Sequence, residues 1–173
     1  MTREPESRQQ PRSFDEVVAS NERRLLRVAY MLSGNVHSAE DLVQTALIRA
    51  YPKWHRIGGL EYPEAYLRRM VVNEFLSWRR RLTNREVPIA EMTETASEDI
   101  AGRQAQRDAT WRLLATLPRQ QRAVLVLRYY EDLPDEEIAD VLGCKASTVR
   151  SNAARALAGL RAAVPELNEG DST

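Results

Sequence analysis

Two short amphipathic segments joined by a single glycine turn constrain this chain more than any other feature. Asp132–Pro134 forms a helix-start pattern, and the apolar residues after it recur at helical spacing. Those residues are Ile138, Ala139, Val141 and Leu142. Gly143 is expected to end the first helix, and Ser147 is expected to cap the second. Two helices joined by so short a turn predict a helix-turn-helix.

The second helix of this unit is predicted to have one apolar and one polar face. With Val149 as the buried reference position, the residues on the same face are Ala153, Ala156, Leu157 and Leu160. The polar residues on or beside the opposite face are Thr148, Arg150, Ser151, Asn152 and Arg155. Residues 145–161 carry four basic side chains and no acidic one. We predict that this face enters a major groove of DNA, the alternative being an ordinary solvated helix.

Six acidic residues directly before this surface would repel DNA if they lay on it. They are Glu131, Asp132, Asp135, Glu136, Glu137 and Asp140. We expect them to point away from DNA. Acids in the first turn of a helix stabilise it by roughly 0.3 to 1 kcal/mol each, which accounts for Asp135, Glu136 and Glu137 without a binding role.

The N-terminal half begins with two helical patterns. Ser13 with Glu16 forms a capping-box signature for the first helix. Ser38 with Asp41 offers the same cap to the second, which Pro52 is expected to end.

A glycine-containing loop and a third helix are predicted next. The loop spans His55–Tyr62, Pro63 suits the first helical position, and the helix runs to about Arg81. After a connecting segment, helices are predicted from about Arg103 to Thr116 and from Pro118. No segment alternates apolar and polar residues with a period of two, so the predicted fold class is all-α.

Charge is distributed unevenly along a chain whose formal net charge is zero. Residues 49–85 contain nine basic and three acidic side chains, whereas residues 86–109 contain six acidic and two basic ones. An acidic stretch rich in Thr, Ser and Ala is typical of a solvated linker. We therefore predict two small helical domains joined by an acidic linker. A further hypothesis is that Glu86–Asp108 masks the DNA-binding faces of the free protein.

Aromatic residues are concentrated in the basic N-terminal segment. Six of the eleven rings of the chain are there, namely Tyr51, Trp54, Tyr62, Tyr66, Phe75 and Trp78. Exposed rings between arginines stack on the bases of single-stranded DNA, which is the function that this combination favours. Taken singly, Phe75 and Tyr51 are expected in the core, and Trp54 could simply close it.

Several other classes of function are disfavoured. No apolar stretch reaches the ~18 residues of a membrane span, and the polar first twelve residues resemble no secretion signal, which favours a cytoplasmic protein without membrane insertion. Cys144 stands alone with two histidines, which is too few for a disulfide or a zinc site. We find no phosphate loop, nucleophile motif or paired carboxylates, so neither a cofactor nor enzymatic activity is expected.

Three segments in this order resemble the extracytoplasmic-function (ECF) sigma factors of bacterial RNA polymerase, most closely the actinobacterial SigE-like branch. The segments are Asp41–Tyr51, Tyr66–Arg81 and Leu117–Arg161. The resemblance covers about residues 14–164 and implies region 2 at residues 13–84 and region 4 at residues 105–164. It leaves a disordered arm at residues 1–12, the acidic linker at residues 85–104 and a short tail at residues 165–173.

The resemblance also implies a role for each segment. The first would bind core polymerase, with Asp41, Gln44, Thr45, Arg49 and Trp54 facing the partner. The second would melt and read the −10 element through Arg68, Arg69, Asn73, Ser77, Trp78, Arg80 and Arg81, beside a loop at residues 55–62 that captures a flipped base. The helix-turn-helix would read the −35 element through Lys145, Thr148, Arg150, Ser151, Asn152 and Arg155.

The implied partners are core RNA polymerase and promoter DNA, both duplex and melted, while an anti-sigma factor is left open. Pro134 departs from the family, which often has a capping Ser or Thr there, although Pro can itself open a helix. One alternative is a free-standing regulator that binds duplex operators as a dimer. A helical enzyme or adaptor is the other.

Overall fold

All elements in the described residues are helical, which confirms the all-α prediction for this part of the chain. The computed structural model describes residues 11–82 and 109–169, with side chains described to residue 77 in the first range and to residue 163 in the second. The predicted acidic linker and its masking role lie outside these residues. None of the helices in the two ranges is long and apolar enough to cross a membrane.

Four helices form the N-terminal lobe. They are α1 (Phe14–Ser33), α2 (Val36–Ala50), α3 (Trp54–Ile57) and α4 (Pro63–Leu82). A 3-10 turn, Tyr51–Lys53, joins α2 to α3. Pro52 lies in that turn, two residues after the last residue of α2, as its missing N–H favours.

The C-terminal lobe contains the predicted helix-turn-helix. Its elements are α5 (residues 109–115), α6 (Arg119–Leu125), a π-helical turn (Val126–Tyr130), α7 (Asp135–Leu142) and α8 (Ala146–Glu169). Gly143 ends α7 with a φ of 64°, a left-handed conformation that glycine adopts without strain. The turn to α8 is therefore as tight as predicted.

The cap predictions had mixed outcomes. The capping box at Ser13 is confirmed, because the Glu16 N–H donates to Ser13 Oγ at 3.2 Å and the Ser13 N–H donates to Glu16 Oε2 at 3.3 Å. The cap predicted at Ser38 is wrong. Asn35 caps α2 instead, accepting from the Ser38 N–H at 3.0 Å, so that helix starts three residues earlier.

Two further predictions of local structure are corrected. The predicted loop at residues 55–62 begins as a helical turn, because α3 extends to Ile57 before the chain turns at Gly58. Ser147 lies inside the first turn of α8, which begins at Ala146. The N–H groups of Thr148 and Val149 both donate to the carbonyl of Lys145.

One apolar core extends through both lobes. The large side chains that are almost fully buried in the N-terminal lobe are Val28, Leu32, Leu67, Val71, Val72 and Phe75. Those in the C-terminal lobe are Val124, Val126, Leu127, Ile138 and Val149. The core position predicted for Phe75 is confirmed, whereas that of Tyr51 is wrong: Tyr51 is 65% exposed and makes a T-shaped contact with Phe14 at the surface.

Candidate DNA and polymerase interfaces

The outer face of α8 is polar, as its periodicity predicted. Val149, Ala153 and Ala156 are buried against the lobe. On the other side Lys145, Thr148, Arg150 and Arg155 are exposed, while Ser151 and Asn152 are half-buried. Small inward side chains let α8 pack closely on its neighbours and leave the six predicted −35 contacts accessible. The contacts themselves stay predictions.

Asp135 links the two helices of the helix-turn-helix. Its carboxylate forms an ion pair with Arg128, and its Oδ2 lies 3.8 Å from Nη1 of Arg150 on α8. The hydrogen bond that Arg128 donates to the Asp135 carboxylate raises the pKa of Arg128, so the guanidinium keeps its charge. Asp135 thereby holds a candidate DNA-binding arginine at one edge of the recognition face.

The six acidic residues before α8 are not all directed to solvent. Glu131 is buried and Asp135 is half-buried, and both carboxylates are paired with arginines. The other four, Asp132, Glu136, Glu137 and Asp140, are exposed. The two acids with the most enclosed carboxylates thus have structural partners. The partners of Glu131, Arg68 and Arg24, are 63 and 107 residues away in the chain, whereas Arg128 is only seven residues from Asp135.

Some of the predicted −10 residues lie on an accessible part of α4. Arg69 and Asn73 are exposed. Ser77 is half-buried, and its hydroxyl donates to the carbonyl of Glu74 at 3.2 Å. The side chains of Trp78, Arg80 and Arg81 lie outside the described residues.

Arg68 is the exception on α4, because it is only 8% exposed. Its Nη1 lies 2.8 Å from Oε2 of Glu131, which belongs to the C-terminal lobe. Arg24 on α1 also donates to Glu131, from Nε at 3.1 and 3.0 Å to the two carboxylate oxygens. In this arrangement the guanidinium of Arg68 binds a carboxylate and has no access to DNA, so its predicted contact requires the lobes to separate.

The predicted polymerase-binding residues follow the outer face of α2. Asp41 and Gln44 are exposed and Thr45 is half-buried. Arg49 is exposed and forms an ion pair with Glu74 on α4. Trp54 is half-buried instead of projecting outward.

The contacts of Trp54 explain its position. Its ring forms a T-shaped pair with Phe14, with 5.0 Å between the ring centroids, and its Nε1 donates to the carbonyl of Arg12 at 2.9 Å. Trp54 was interpreted either as a residue that closes the core or as one that faces polymerase. These contacts agree with the first interpretation. The sequence pattern did not single out Ile48, which is 71% exposed on α2 and adds apolar surface to this face.

The turn after α3 presents Tyr62 to solvent. This ring is 61% exposed, and its hydrogen bond to the Glu61 carboxylate raises the pKa of the phenol. Tyr62 is therefore a neutral, accessible aromatic ring beside the N-terminus of α4, where the resemblance implies capture of a base. That role stays a prediction.

Arg122 joins the two lobes through backbone carbonyls. It donates from Nη1 to Leu32 at the end of α1 (2.7 Å) and from Nε to Leu114 (2.9 Å). It also donates from Nη2 to Ala115 (3.2 Å) and Leu117 (3.3 Å). Burial lowers the pKa of this guanidinium. Nearby, the guanidinium of Arg119 lies 4.1 Å from the centre of the Phe75 ring.

Family models match both lobes of the chain. The model described as Sigma-70 region 2 matches residues 17–85, and the model described as Sigma-70, region 4 matches residues 107–160. The RNA polymerase sigma-E factor of Streptomyces coelicolor is 39% identical over 148 residues, which is 86% of this chain and 84% of that relative. The ECF RNA polymerase sigma factor SigE of Mycolicibacterium smegmatis is 35% identical over 86% of this chain and 60% of its own length.

A solved structure has the same fold. It is the sigma factor RpoE from Bartonella quintana in complex with the anti-sigma factor NepR, with a TM-score of 0.67, 24% identity, and coverage of 88% of this chain and 96% of that one. The family models, the helix-turn-helix geometry and the similarity to the relative from Streptomyces coelicolor together identify the family. The chain belongs to the extracytoplasmic-function sigma factors of bacterial RNA polymerase.

Proposed function

We propose that α8 reads the −35 promoter element, α4 reads and melts the −10 element, and α2 binds core polymerase. As an ECF sigma factor, the chain binds RNA polymerase and directs promoter-specific initiation of transcription. Sigma factors are non-enzymatic regulators of initiation, and we infer that this chain likewise catalyses no reaction and acts in the cytoplasm with the polymerase.

The polar face of α8 is the observation that carries this assignment. Three small buried side chains on the inside leave the helix closely packed. Two exposed cations, Arg150 and Arg155, lie on the outside, and a third, Lys145, lies in the turn directly before the helix. A helix with this cross-section fits a major groove, where arginines bind guanine edges or phosphates. In region 4 that groove belongs to the −35 element.

The −10 assignment is supported by the exposed polar residues of α4. Arg69 and Asn73 are accessible, and Tyr62 presents a ring close to the start of the same helix. Stacking of a ring on an unpaired base contributes about 1 to 3 kcal/mol, while arginines hold the phosphates. Melting would then be driven by capture of the unpaired strand.

The polymerase assignment is supported by the mixed character of α2. Asp41 and Gln44 provide exposed polar groups, and Ile48 provides apolar area beside them. Protein interfaces commonly combine an apolar centre with a polar rim. An anti-sigma factor is a further partner that we propose from the Bartonella quintana complex.

A free-standing operator-binding regulator explains less of the molecule. It would use α7 and α8 in the same way but gives no role to the exposed residues of α2 and α4. It also does not explain why residues 17–85 match the family model of Sigma-70 region 2.

Run-off transcription tests the proposal directly. The purified chain is added to core polymerase of Streptomyces coelicolor with a library of genomic promoters. Promoter-specific transcripts that depend on the chain, and that Arg155→Ala reduces, are the expected result. Tight duplex binding by the chain alone, without transcripts from any promoter, would support the operator-binding regulator instead.

A further inference from the structure

A single residue before α1, Arg12, contacts the chain at several points around the turn at residues 58–62, the Tyr62 turn, which leads from α3 to α4. Its backbone N–H donates to the carbonyl of Gly58 at 3.1 Å, and its own carbonyl accepts from Nε1 of Trp54 at 2.9 Å. Its side chain reaches the far end of the turn. There Nη2 donates to the carbonyl of Glu61 at 3.0 Å and lies 3.4 Å from Oε2 of Glu64. Arg12 thus ties the start of the Tyr62 turn to its end.

The first residue of α1 anchors this segment. Phe14 is half-buried and forms T-shaped pairs with Tyr51 and Trp54, with 5.1 and 5.0 Å between the ring centroids. Aromatic pairs of this kind are favourable beyond the area that they bury. Because Phe14 is only two residues from Arg12, the aromatic contacts keep Arg12 close to the Tyr62 turn.

Gly58 is required by the close approach of Arg12 and not by its own backbone conformation. Its φ of −64° and ψ of −19° are helical values that any residue adopts. A Cβ at this position would lie 2.8 Å from the carbonyl oxygen of Arg12 and 2.8 Å from Nε1 of Trp54. At the neighbouring Gly59 a Cβ would meet only the carbonyl oxygen of Arg56, at an ordinary 3.8 Å. The sequence therefore keeps space for the Arg12 backbone at Gly58.

The exposed Tyr62 lies directly after the carbonyl that Arg12 binds. On the N-terminal side of Tyr62, the carbonyl of Glu61 accepts from the Arg12 guanidinium. On the other side, the carbonyl of Tyr62 itself accepts from the N–H groups of Ala65 at 3.1 Å and Tyr66 at 3.4 Å. The backbone is thus bound on both sides of a ring that is 61% exposed. The bond from Arg12 comes from a different part of the chain, whereas the other two are local to α4.

We propose that Arg12 is a positioning residue for base capture, which holds the Tyr62 turn so that the Tyr62 ring meets an unpaired base of the −10 element. Arg12 acts through the turn and touches no base in this role. Ordering a loop in advance strengthens binding, because the cost of ordering it is no longer taken from the binding free energy. This inference rests on the proposed function of the Tyr62 turn.

The ion pair between Arg12 and Glu64 is the weaker part of this arrangement. The Arg12 side chain is 51% exposed, so water and salt screen its charge. The hydrogen bonds with Gly58, Trp54 and Glu61 depend more on geometry. We therefore expect the Tyr62 turn to stay ordered at high salt and to loosen when the Arg12 backbone is displaced.

Amide hydrogen exchange of the free, full-length chain tests whether Arg12 holds the Tyr62 turn. Arg12→Ala removes the side-chain bonds, and Gly58→Ala displaces the Arg12 backbone without changing the net charge. Each should speed exchange in a peptide covering residues 58–66 by about fivefold or more, and leave peptides of α6 unchanged. The matched controls are Arg23→Ala, an exposed arginine of α1, and Gly59→Ala, and both should exchange like the wild type.

Arg12→Ala keeps the backbone contacts of the segment and serves alone if Gly58→Ala does not fold. Exchange like that of the wild type in a folded Arg12→Ala chain would overturn the proposal.

Binding of single-stranded DNA by the polymerase complex tests what the turn is held for. The chain is assembled with core polymerase of Streptomyces coelicolor, and the ligand is the labelled non-template strand of the −10 region from a promoter that gives transcripts in the run-off assay. Apparent affinity falls with the fraction of molecules whose turn is in place, so Arg12→Ala and Gly58→Ala should each weaken binding by about fivefold. Arg23→Ala should bind the strand like the wild type, and binding of a −35 duplex should be the same in all four chains.

A double-mutant cycle separates positioning from a general loss of stability. If Arg12 acts through Tyr62, Arg12→Ala should weaken strand binding by no more than about twofold in a chain that already carries Tyr62→Ala. Equal losses with and without the Tyr62 ring would contradict the positioning role. Weaker binding by Arg12→Ala but not by a folded Gly58→Ala would assign Arg12 a direct phosphate contact instead.

Failure of the proposed function would look different. The wild-type complex would then bind no −10 strand, or no promoter would give transcripts, and the role of Arg12 in base capture would be refuted with it. Exchange in the free chain would still show whether Arg12 holds the Tyr62 turn.

Discussion

The indole ring of Trp111 on α5 packs directly on the α-carbon of Gly34, at the end of α1. A Cβ on Gly34 would occupy the same space as the ring atoms Cε2 and Nε1 of Trp111. Gly34 also has a φ of 75°, as the left-handed cap of α1, so the position requires glycine for two reasons. This contact brings the first helix of the C-terminal lobe against the last turn of α1.

Trp111→Ala is expected to destabilise the chain by about 2 to 4 kcal/mol, because it removes a large ring from a packed contact between lobes. The free energy of unfolding is measured by urea denaturation at constant temperature. Arg112→Ala is the matched control, since Arg112 is the next residue along and is exposed. Equal losses for the two variants would show that the ring contributes nothing beyond helix stability.

Arg122→Lys should destabilise the chain by about 2 to 3 kcal/mol even though it keeps the charge. The guanidinium fork donates to four carbonyls in a fixed geometry, and an ammonium cannot reach them all, which leaves buried acceptors unsatisfied. Thermal unfolding followed by circular dichroism measures the loss. Arg112→Lys is the control, and a melting temperature like that of the wild type for Arg122→Lys would contradict the geometry.

Asp135→Asn removes the carboxylate that pairs with Arg128 and approaches Arg150. We expect a loss of about 1 kcal/mol of folding stability, since the pair is only partly shielded from solvent. A double-mutant cycle with Arg128→Ala isolates the interaction, because the loss should nearly vanish in that background. Glu136→Gln, an exposed acid in the same first turn of α7, controls for the helix dipole. A full loss in the Arg128→Ala background would assign the effect to the helix dipole or to the contact with Arg150.

Helical periodicity was sufficient to identify the buried face of α8, because Val149, Ala153 and Ala156 can share one side only in a helix. The glycine cap at Gly143 followed from local chemistry in the same way. The N-cap of a helix was harder to predict where two suitable residues lie close together in the sequence. Asn35 and Ser38 can both cap a helix, and in the structure Asn35 has the extended backbone of a cap and accepts the hydrogen bond from the Ser38 N–H.

Contacts between lobes could not be predicted from one sequence. Glu131 and Arg68 are 63 residues apart, and each belongs to a local pattern, an acidic cluster and a basic helix, that suggests solvent exposure. Only the docking of the lobes converts them into a buried pair. The core position predicted for Tyr51 was wrong for the opposite reason. Its aromatic ring favours burial, but the 3-10 turn after α2 leaves the ring at the surface.

The assignment of α8 to duplex DNA predicts how single arginines affect binding. Arg155→Ala and Arg150→Ala should each weaken binding to a −35 duplex by about 1 to 3 kcal/mol if the arginine binds a base edge, with loss of discrimination at one position. An arginine that binds phosphate would instead weaken all sequences alike and reduce the slope of log affinity against log salt by about 1. Fluorescence anisotropy over a salt series distinguishes the two.

Arg161→Ala is the matched control for this series, because Arg161 is exposed on the same helix but lies beyond the predicted contacts. It removes one positive charge and should change the affinity by less than either of the other variants, since exposed charges are screened within about 10 Å at 0.1 M salt. If Arg161→Ala weakened binding as much as Arg155→Ala, net charge alone would account for the affinity, and the outer face of α8 would not be the surface that reads the promoter.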